Sequence, residues 1–465
     1  MPASILNYRP EIKLEIAGND VTQYLGDQGT VSLRKSIMAP AGEFAISFPD
    51  MPTPNYRESL YGLVRPLDDI VISGRRWQEP ETSLPEWTVM LRGFVRSIGR
   101  DEQIAQDGRP QRRVVISGHD CGAVFSMEML AAYITYQNQA NGEGILPAPL
   151  VWLREYGLIS QPFPVQTFIW LLAFISTQEI MRLGGFSFVP VLAVDKGAVL
   201  PHTAFSQEGP IWGMLKRYSD APWNELFVRE GEKEPELVFR PAPYYETPDQ
   251  DDKEAVAEGG KPLPDAEVGL KSVRFWEIPN RNVIALHAHR DDSELVNHAW
   301  VMLAAGNVGG NTCPIINQKG TLNADTRAKF GDRLATETTY LGPTNLAPSI
   351  NLNRAAQIAA DQEWCAWGAY RLEWLKLAGK NIHLLERGSL TIKGDPKIQV
   401  GDYIWVTRGD LRWRGYVVNI QHQFSAYRHY LTTLDYIRGT QWLVRKTIDK
   451  PWDSERKSEG ASAVF

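Results

Sequence analysis

One sequence pattern occurs twice in this chain of 465 residues, once near each end. Each copy contains a turn with aspartate, a strand, a second strand with the motif Arg-Gly-aromatic-Val, and a third strand. The matching segments are 66–72, 91–98 and 113–118 near the start, and 398–406, 413–420 and 431–437 near the end. Successive short strands separated by turn residues predict a small β-module in each copy. The two similar modules indicate internal pseudo-symmetry.

Six residues mark the repeated positions. They are Asp69, Gly93 and Phe94 in the first copy, and Asp402, Gly415 and Tyr416 in the second. A glycine inside a strand often marks a bend or a close approach of other atoms. We therefore expect that a β-branched side chain in place of Gly415 would disturb the module and any assembly that depends on it.

Length and composition predict a folded protein with several domains. The chain exceeds the size of one ordinary core, and its hydrophobic fraction of 43% and charged fraction of 22% are typical of globular proteins. The net charge of −6 argues against specific nucleic-acid binding, which requires a clustered basic face. The 15 tryptophans fit either broad protein contacts or a large buried β-core.

The cysteines and the apolar segments predict a protein that folds in a reducing compartment. Cys121, Cys313 and Cys365 are far apart, odd in number and outside any metal-binding spacing. No secretory signal is visible at the N-terminus. The most apolar run, 168–175, is too short to span a bilayer, which needs about 20 apolar residues. The sequence therefore predicts no membrane insertion.

The pattern along the chain predicts an α+β fold that is rich in β-structure, with helical and irregular insertions between the modules. Helices are predicted at 127–136, 165–183 and 210–218, and a long helix is predicted from Asn351 or Asn353 to Gly379. The predicted regions are a first barrel at 1–125, a mainly helical insertion at 126–230, first strands of the second barrel at 231–300 with a flexible acidic loop at 246–268, an irregular segment plus the long helix at 301–382, the second barrel at 383–445, and a tail at 446–465.

The long helix carries aromatic side chains at helical spacing. Trp364, Trp367, Arg371 and Trp374 share one face of this helix. Such a stripe is typical of core packing, and a ligand-binding box is the alternative.

The one candidate metal site lies in a predicted strand. His287, His289 and Asp291 alternate along it and would point to one side. Zinc requires three or four ligands that converge, and no second cluster supplies the others, so a polar strand edge is the competing interpretation. His119 and Cys121 resemble a nucleophile and base only in sequence, and Asp120 between them is expected to cap the following helix.

No recognised catalytic or cofactor-binding motif is present in the sequence. We therefore expect no catalytic residues and no cofactor. The sequence alone does not decide whether the protein cleaves glycosides, because the two carboxylates of a glycosidase meet only in the folded protein.

The ordered set of segments resembles the baseplate hub proteins of contractile-tailed bacteriophages, a family that includes late-control gene D proteins and the hub part of type VI secretion spikes. The resemblance lies in segments 12–21, 43–48, 113–120, 219–227, 236–243, 394–402, 415–418 and 432–434, and covers about two thirds of the chain. The family often has proline before the Gly-Asp turn, where this chain has Val400. The acidic loop at 246–268 has no place in the family pattern.

The resemblance implies a homotrimer in the tail baseplate of a virion, assembled in the host cytoplasm. Each subunit would contribute two tube-like barrels, so that three copies present six similar modules to a sixfold tail tube and still match a threefold central spike. The implied partners are the tail tube, central spike, tape measure and baseplate wedge proteins, around a channel for DNA ejection. A tail-associated peptidoglycan hydrolase and a glycan-binding virion protein remain as alternatives.

Overall fold

The computed structural model describes residues 8–53, 57–78, 83–104, 110–127, 129–130, 134–135, 146–147, 163–170, 173, 188–192, 197–199, 209–243, 273–289, 295–303, 307–308, 311–312, 317–322, 324–343, 354–379, 386–408 and 411–438. The chain is rich in β-structure in these residues, as the sequence predicts, with helices and short strands between the two ends. No helix in these ranges is long and apolar enough to cross a membrane.

Seven strands form the N-terminal part of the fold. They are β1 (Tyr8–Ile16), β2 (Asn19–Asp20), β3 (Thr30–Ser36), β4 (Glu43–Pro49), β5 (Asp69–Gln78), β6 (Thr88–Ile104) and β7 (Pro110–Asp120). Alternation makes one face apolar: in β4, Phe44, Ile46 and Phe48 are buried. A tight turn through Ala17 and Gly18, both with positive φ, joins β1 to β2.

Short elements fill the middle of the chain. The strands are β8 (Met129–Leu130), β9 (Ile134–Thr135), β10 (Leu146–Pro147), β11 (Phe163–Pro164), β12 (Val189–Leu192), β13 (Ala198–Val199), β14 (Gly209–Pro210), β15 (Asn224–Glu230), β16 (Pro235–Pro241), β17 (Phe275–Ile278), β18 (Val283–His289), β19 (His298–Leu303), β20 (Asn307–Val308), β21 (Asn311–Thr312), β22 (Asn317–Thr321), β23 (Leu334–Thr339) and β24 (Leu341–Gly342).

Four strands follow the long helix. They are β25 (Arg387–Lys393), β26 (Tyr403–Arg408), β27 (Leu411–Ser425) and β28 (His429–Arg438). The helices are Leu60–Leu63, Val124–Met127, Ile211–Tyr218, Ala324–Phe330 and Arg354–Gly379, with further helical backbone at 165–170 and 173. Single turns of 3₁₀-helix lie at Thr22–Leu25, Cys121–Ala123 and Asn280–Asn282.

One large sheet joins the two ends of the chain. Its thirteen described strands run in the order β18-β25-β28-β27-β3-β4-β7-β6-β5-β1-β2, while β26 pairs with β27 and β17 pairs with β26 off this path. The junction is the antiparallel pair β3–β27, from Ser36 opposite Asn419 to Thr30 opposite Ser425. The N-terminal and C-terminal strands are therefore hydrogen-bonded into one continuous layer.

Separate apolar clusters lie beneath the two halves of the sheet. The N-terminal cluster is centred on Leu14, Ile46 and Ile116, and the C-terminal cluster on Leu390, Trp413 and Leu434. Tyr430 from β28 packs into the N-terminal cluster, and its hydroxyl donates to the Met90 sulfur at 3.2 Å. The middle elements pack around Phe168, Trp212 and Phe239 in a third cluster.

The long helix buries the predicted aromatic face. Trp364, Trp367, Arg371 and Trp374 are all buried, so the prediction of core packing is confirmed. The helix ends at Gly379 as predicted, while both candidate caps, Asn351 and Asn353, lie outside the described residues. The helix predicted at 210–218 is also confirmed and runs from Ile211 to Tyr218.

Two local predictions are wrong. The segment 127–136 contains β8 and β9 instead of one helix, because β8 pairs with β14 about 80 residues further along the chain and such long-range pairing overrides helix propensity. The segment 305–350 is more regular than expected. Within it, β22 and β23 flank β19 in a three-stranded sheet, beside the helix Ala324–Phe330. The loop at 246–268 and the tail at 446–465 lie outside the described residues.

Candidate functional site in the two repeated sheets and the hairpin between them

The two halves of the large sheet have the same strand order. The N-terminal order β3-β4-β7-β6-β5 corresponds to the C-terminal order β18-β25-β28-β27-β26, and every neighbouring pair is antiparallel. The outermost strands differ in direction, because β1 runs antiparallel to β5 whereas β17 runs parallel to β26.

The two halves also share their register. A row of directly opposed aliphatic residues crosses each one. The first row is Val31, Ile46, Ile116 and Ile98, and the second is Leu286, Leu390, Leu434 and Ile420. Both rows cross four strands in the same order, so the repetition extends to individual cross-strand neighbours.

Each half has a bulge at the equivalent place, and each also has a second shift at a place that does not match: between Ile72 and Ser73 in β5, and between Val283 and Ala285 in β18. In β6 the pairing with β7 shifts between Val95 and Ser97, and in β27 the pairing with β28 shifts between Val417 and Asn419. The repeated glycine lies two residues before each shift. An extra residue of this kind bends the strand and increases its twist.

The turn before β5 and the turn before β26 have the same hydrogen bonds. The amide of Leu67 donates to the Val95 carbonyl at 2.7 Å, and the amide of Gly401 donates to the Val417 carbonyl at 2.9 Å. In return, the amide of Val95 donates to the backbone carbonyl of Asp68, and the amide of Val417 donates to the backbone carbonyl of Asp402, both at 2.9 Å. Leu67 and Gly401 both have positive φ, 74° and 78°.

This pattern identifies the residue that matches Asp402. The Asp402 carboxylate accepts from the Gln399 amide at 3.0 Å, and the Asp68 carboxylate accepts from the Arg65 amide at 2.7 Å. Asp69 instead lies opposite Phe94, as Tyr403 lies opposite Tyr416. The repeated aspartate of the first copy is therefore Asp68, and the assignment of Asp69 to this position is wrong by one residue.

The hairpin β15–β16 lies between the two repeated sheets and contacts both. At one end of β15, Glu230 accepts from Arg92 Nη1 at 2.9 Å and from the Arg92 amide at 3.1 Å. At the other end, Glu225 accepts from the Tyr416 hydroxyl at 2.6 Å. Arg92 and Tyr416 both belong to the repeated Arg-Gly-aromatic motif, so one strand holds the equivalent segment of each copy.

The Tyr416 end of this hairpin is a buried polar cluster. Arg240 from β16 is fully buried and pairs with Glu225 at 2.5 Å. It also donates to the Gly401 carbonyl at 2.8 Å and to the Tyr416 hydroxyl at 3.2 Å. Burial and the Glu225 carboxylate hold the pKa of the Tyr416 hydroxyl well above its usual range. Paired and hydrogen-bonded in this way, these charges fix the hairpin against the turn.

Asp402 is fully buried beneath the same hairpin. It accepts hydrogen bonds from Trp276 Nε1 at 2.8 Å and Arg274 Nε at 3.1 Å, and lies 3.7 Å from Arg229 Nη1. Burial raises the pKa of the Asp402 carboxyl, and the arginines together with the Trp276 and Gln399 hydrogen bonds lower it in part. The Asp402 turn is therefore an internal support of the C-terminal half.

The Glu230 end has its own buried ion pair. Lys35 from β3 pairs with Asp120 from β7, and both side chains are buried. Burial lowers the pKa of the Lys35 ammonium, but the Asp120 and Glu230 carboxylates outweigh it and leave the pKa raised. Asp120 also accepts from the Gly122 amide at 2.9 Å, which confirms its predicted role as a cap.

The long helix is anchored to the middle of the chain by Arg371. Its Nη2 lies 3.1 Å from Asp220 Oδ2, and its guanidinium lies 4.3 Å from the centre of the Trp367 ring. Asp220 also accepts from the Thr339 hydroxyl and the Tyr340 amide, both at 2.8 Å. Arg371 therefore connects the aromatic face of the helix to Asp220. The sequence indicated that Arg371 lies on this face but did not indicate its partner.

The candidate metal residues lie on the edge strand β18. His287 is opposite Ser389 and His289 is opposite Arg387, while Asp291 lies outside the described residues. No group of three potential metal ligands occurs in the part of the chain that the structure describes. His119 Nε2 lies 2.9 Å from Arg96 Nη1, and Cys121 is buried with the pKa of its thiol raised by burial, so neither is arranged as a nucleophile with its base.

The pairs that tie the hairpin to the repeated sheets could not be found by sequence reasoning. Arg92 and Glu230 are 138 residues apart, and Glu225 and Tyr416 are 191 residues apart. The only available signal was the presence of charged residues in otherwise apolar strands, as in 224–230 and 235–241, which indicates buried pairing without naming the partner.

Comparison with known proteins gives structural neighbours only. No protein-family model matches the chain, and no curated protein sequence matches it. The solved structures similar to it include a 43 kDa tail protein of prophage MuSo2 from Shewanella oneidensis, with 11% identity, 93% of this chain and 99% of that chain covered, and a TM-score of 0.47. A tail protein from Neisseria meningitidis has 10% identity, 94% and 98% coverage, and a TM-score of 0.49.

A third similar structure is an Escherichia coli protein described as a component of the type VI secretion system, with structural similarity to bacteriophage T4 tail proteins. It has 11% identity, covers 92% of this chain and 76% of its own, and has a TM-score of 0.40. These neighbours are phage tail and type VI secretion proteins, the class that the sequence resembles.

Proposed function

We propose that this protein is a structural baseplate hub of a contractile phage tail: a homotrimer that joins a sixfold tail tube to a threefold central spike. Its location would be the tail baseplate of the virion, after assembly in the host cytoplasm. The tail tube, spike, tape measure and wedge proteins would be its partners. The role requires no cofactor and no catalytic residue.

The observation that carries this proposal is the repetition of hydrogen bonding in the two halves of the sheet. Strand order, aliphatic row, bulge and turn recur in the same positions, although the two copies share few side chains. A repeated backbone with divergent side chains is what two modules need when they meet similar partners in different surroundings. We infer that each half is one tube-like barrel of the pseudo-symmetric pair.

Symmetry gives the repetition a purpose. A trimer has three equivalent surfaces, whereas a hexameric ring presents six. Two similar modules in each subunit, held in a fixed relation by the junction β3–β27, would let three copies present six modules. The hairpin β15–β16 supports this reading, because its glutamates reach Arg92 in one module and Tyr416 in the other.

The face of the sheet that lies away from the apolar clusters carries charged side chains beside apolar ones, such as Met38 and Val418, at the junction. A groove there is lined by Arg34 and Glu43 from the N-terminal half and by His287, Arg387 and Asp435 from the C-terminal half. We propose that this face is turned toward the DNA channel. Its mixture of positive and negative side chains would give DNA no continuous basic track to bind.

The experiment that tests the proposal is the mass of the purified full-length chain in solution. Light scattering after size-exclusion chromatography is expected to give three times the monomer mass of 52.4 kDa. A stable monomer at high protein concentration and native salt would contradict the hub. Addition of the same preparation to purified peptidoglycan tests the hydrolase alternative, which predicts release of soluble fragments that one carboxylate substitution abolishes.

A further inference from the structure

In the ranges that the structure describes, the junction inside the chain uses one of two equivalent positions and leaves the other without a strand. In the C-terminal half, residues 419–425 of β27 pair with β28 on one edge and with β3 on the other. The equivalent part of the N-terminal half is residues 97–103 of β6, after the matching bulge. This segment pairs with β7 on one edge. The strand on the other side, β5, covers β6 only as far as Phe94. No strand occupies that edge of 97–103 within the described residues.

The strand that would fill this edge is also identified by the repeat. The row Val31-Ile46-Ile116-Ile98 matches the row Leu286-Leu390-Leu434-Ile420, so β18 is the counterpart of β3. In the parts of the chain that the structure describes, β18 pairs only with β25 and forms the outer edge of the large sheet. Among the described residues, each subunit therefore has an edge strand, β18, and a strand segment with an open edge, 97–103. These two correspond to β3 and to residues 419–425, the two partners of the internal junction.

Unpaired strand edges carry backbone donors and acceptors that favour pairing with another strand. We propose that β18 of one copy pairs antiparallel with residues 97–103 of β6 in a second copy, in the register of the internal β3–β27 junction. The inference rests on the proposed trimer and names its interface. Three such contacts would alternate with three internal junctions and close a ring of six modules.

The internal junction fixes the register of the new one. Ser32 lies opposite Gln423 inside the chain, and the counterparts of these residues are His287 and Asp101. The internal pairs Val31–Phe424 and Leu33–His422 likewise correspond to Leu286 opposite Glu102 and Ala288 opposite Arg100. His287, Asp101 and Glu102 are exposed in the single subunit. Asp101 would thus face His287, while Glu102 keeps its ion pair with Arg112 of its own subunit at 2.9 Å. Pairing of two β6 edges would instead bring the carboxylates of two copies together, which favours the β18 partner.

Disulfide trapping tests the interface directly. In a background with Cys313→Ser and Cys365→Ser, chains with Asp101→Cys are mixed with chains with His287→Cys and oxidised mildly. We expect a disulfide-linked dimer, with the linkage at 101–287 confirmed by peptide mass spectrometry. The chain with both substitutions should form linked trimers. The internal pair Ser32→Cys with Gln423→Cys is the matched control, and it should form a disulfide without a change in oligomeric mass.

Charge reversal gives a second readout that does not depend on disulfide geometry. Asp101→Lys alone should raise the dissociation constant of the trimer about tenfold or more, because in each of the three interfaces a cationic side chain replaces the carboxylate opposite His287. Combination with His287→Glu should restore the trimer. An unchanged far-ultraviolet circular dichroism spectrum and a cooperative unfolding transition would show that the monomeric variants keep the fold, since loss of the trimer alone lowers the unfolding midpoint.

The outcomes separate this inference from the proposed function. A trimer that forms no 101–287 linkage and is indifferent to Asp101→Lys would overturn the interface and leave the hub standing. A parent protein that is monomeric would contradict both the interface and the proposed hub. Linkage between two Asp101 positions or two His287 positions would also overturn the inference, because it would indicate pairing of like edges.

Discussion

The turn at Asp68 and the turn at Asp402 have the same backbone and opposite surroundings. Asp68 is half-buried and its neighbour Leu67 is 73% exposed, whereas Asp402 is fully buried among Arg229, Arg274 and Trp276. The turn geometry is set by backbone hydrogen bonds to the neighbouring strand, which the two copies share. The surroundings are set by the middle of the chain, whose described residues Arg229, Arg274 and Trp276 cover the C-terminal turn. Equivalent positions should therefore differ greatly in their contribution to stability.

The largest expected difference is between the two aspartates. Asp402→Asn removes the negative charge that faces Arg274 and Arg229 in the interior, so we expect a loss of about 3–5 kcal/mol of folding free energy. Asp68→Asn keeps a side-chain oxygen for the Arg65 amide at the surface and should cost about 0.5 kcal/mol or less. Urea unfolding of the two variants measures the difference. Equal losses would mean that the buried arginines find other partners.

The repeated glycines should also differ. A Cβ on Gly93 would lie 2.0 Å from the carbonyl oxygen of His119, a backbone atom that cannot move alone. A Cβ on Gly415 would lie 2.9 Å from the Trp413 ring and 3.1 Å from the Tyr436 ring. We expect Gly93→Ala to cost about 3 kcal/mol or more and Gly415→Ala about 1–2 kcal/mol. Thermal unfolding of both variants checks this order. A larger loss for Gly415→Ala than for Gly93→Ala would contradict the interpretation that the two equivalent glycines have different surroundings.

A third pair differs in its response to pH. His422 is buried, and burial lowers its pKa to about 3, whereas its counterpart Arg100 has a side chain that is 41% exposed. The unfolded chain takes up the His422 proton below pH 6.5, while the folded protein resists it down to about pH 3. The contribution of His422 to stability is thus fully present above pH 6.5 and is lost as the pH falls, by about 1.4 kcal/mol per unit.

Because other groups also titrate in this range, the effect of His422 is measured as the difference in pH dependence between the natural protein and a variant without this histidine. Unfolding midpoints of the natural protein and of His422→Gln are compared at pH 7 and pH 5. We expect the natural protein to lose about 2 kcal/mol more than the variant over this interval. Parallel pH profiles would show that His422 is protonated in the folded state.

The smallest effect is expected at Leu67. This residue has a φ of 74° where its counterpart is glycine, and a left-handed conformation is strained for leucine. Leu67→Gly should therefore stabilise the protein, by about 1 kcal/mol or less, because the relief of strain is offset by the greater freedom of glycine in the unfolded chain. Leu84→Gly, at an exposed leucine without positive φ, is the control and should lose stability slightly.

The sequence was sufficient where a structural feature repeats along the chain. Alternation located the strands of both copies, and helical spacing identified the buried face with Trp364 and Trp374. Sequence patterns were insufficient where a strand pairs with a segment that is far away along the chain. Strand β8 depends on β14, and the sheet in 298–339 depends on pairing on both sides of β19, so local propensity misassigned both.

The same limit applies to the candidate site. The motif pointed to Gly93, Phe94, Gly415 and Tyr416, but it aligned Asp402 with Asp69, because two adjacent aspartates cannot be distinguished without the hydrogen bonds of the turn. The glutamates that hold Arg92 and Tyr416 come from a hairpin in a different part of the sequence, and no periodic pattern links them.

Electron cryo-microscopy of the purified full-length protein tests the central claim most directly. Viewed along the rotation axis, class averages should show a threefold particle whose density also has a strong sixfold component, with each half of the large sheet occupying one of six positions around a central opening. Particles without threefold symmetry, or three-part particles in which the N-terminal and C-terminal halves lie at clearly different radii, would contradict it.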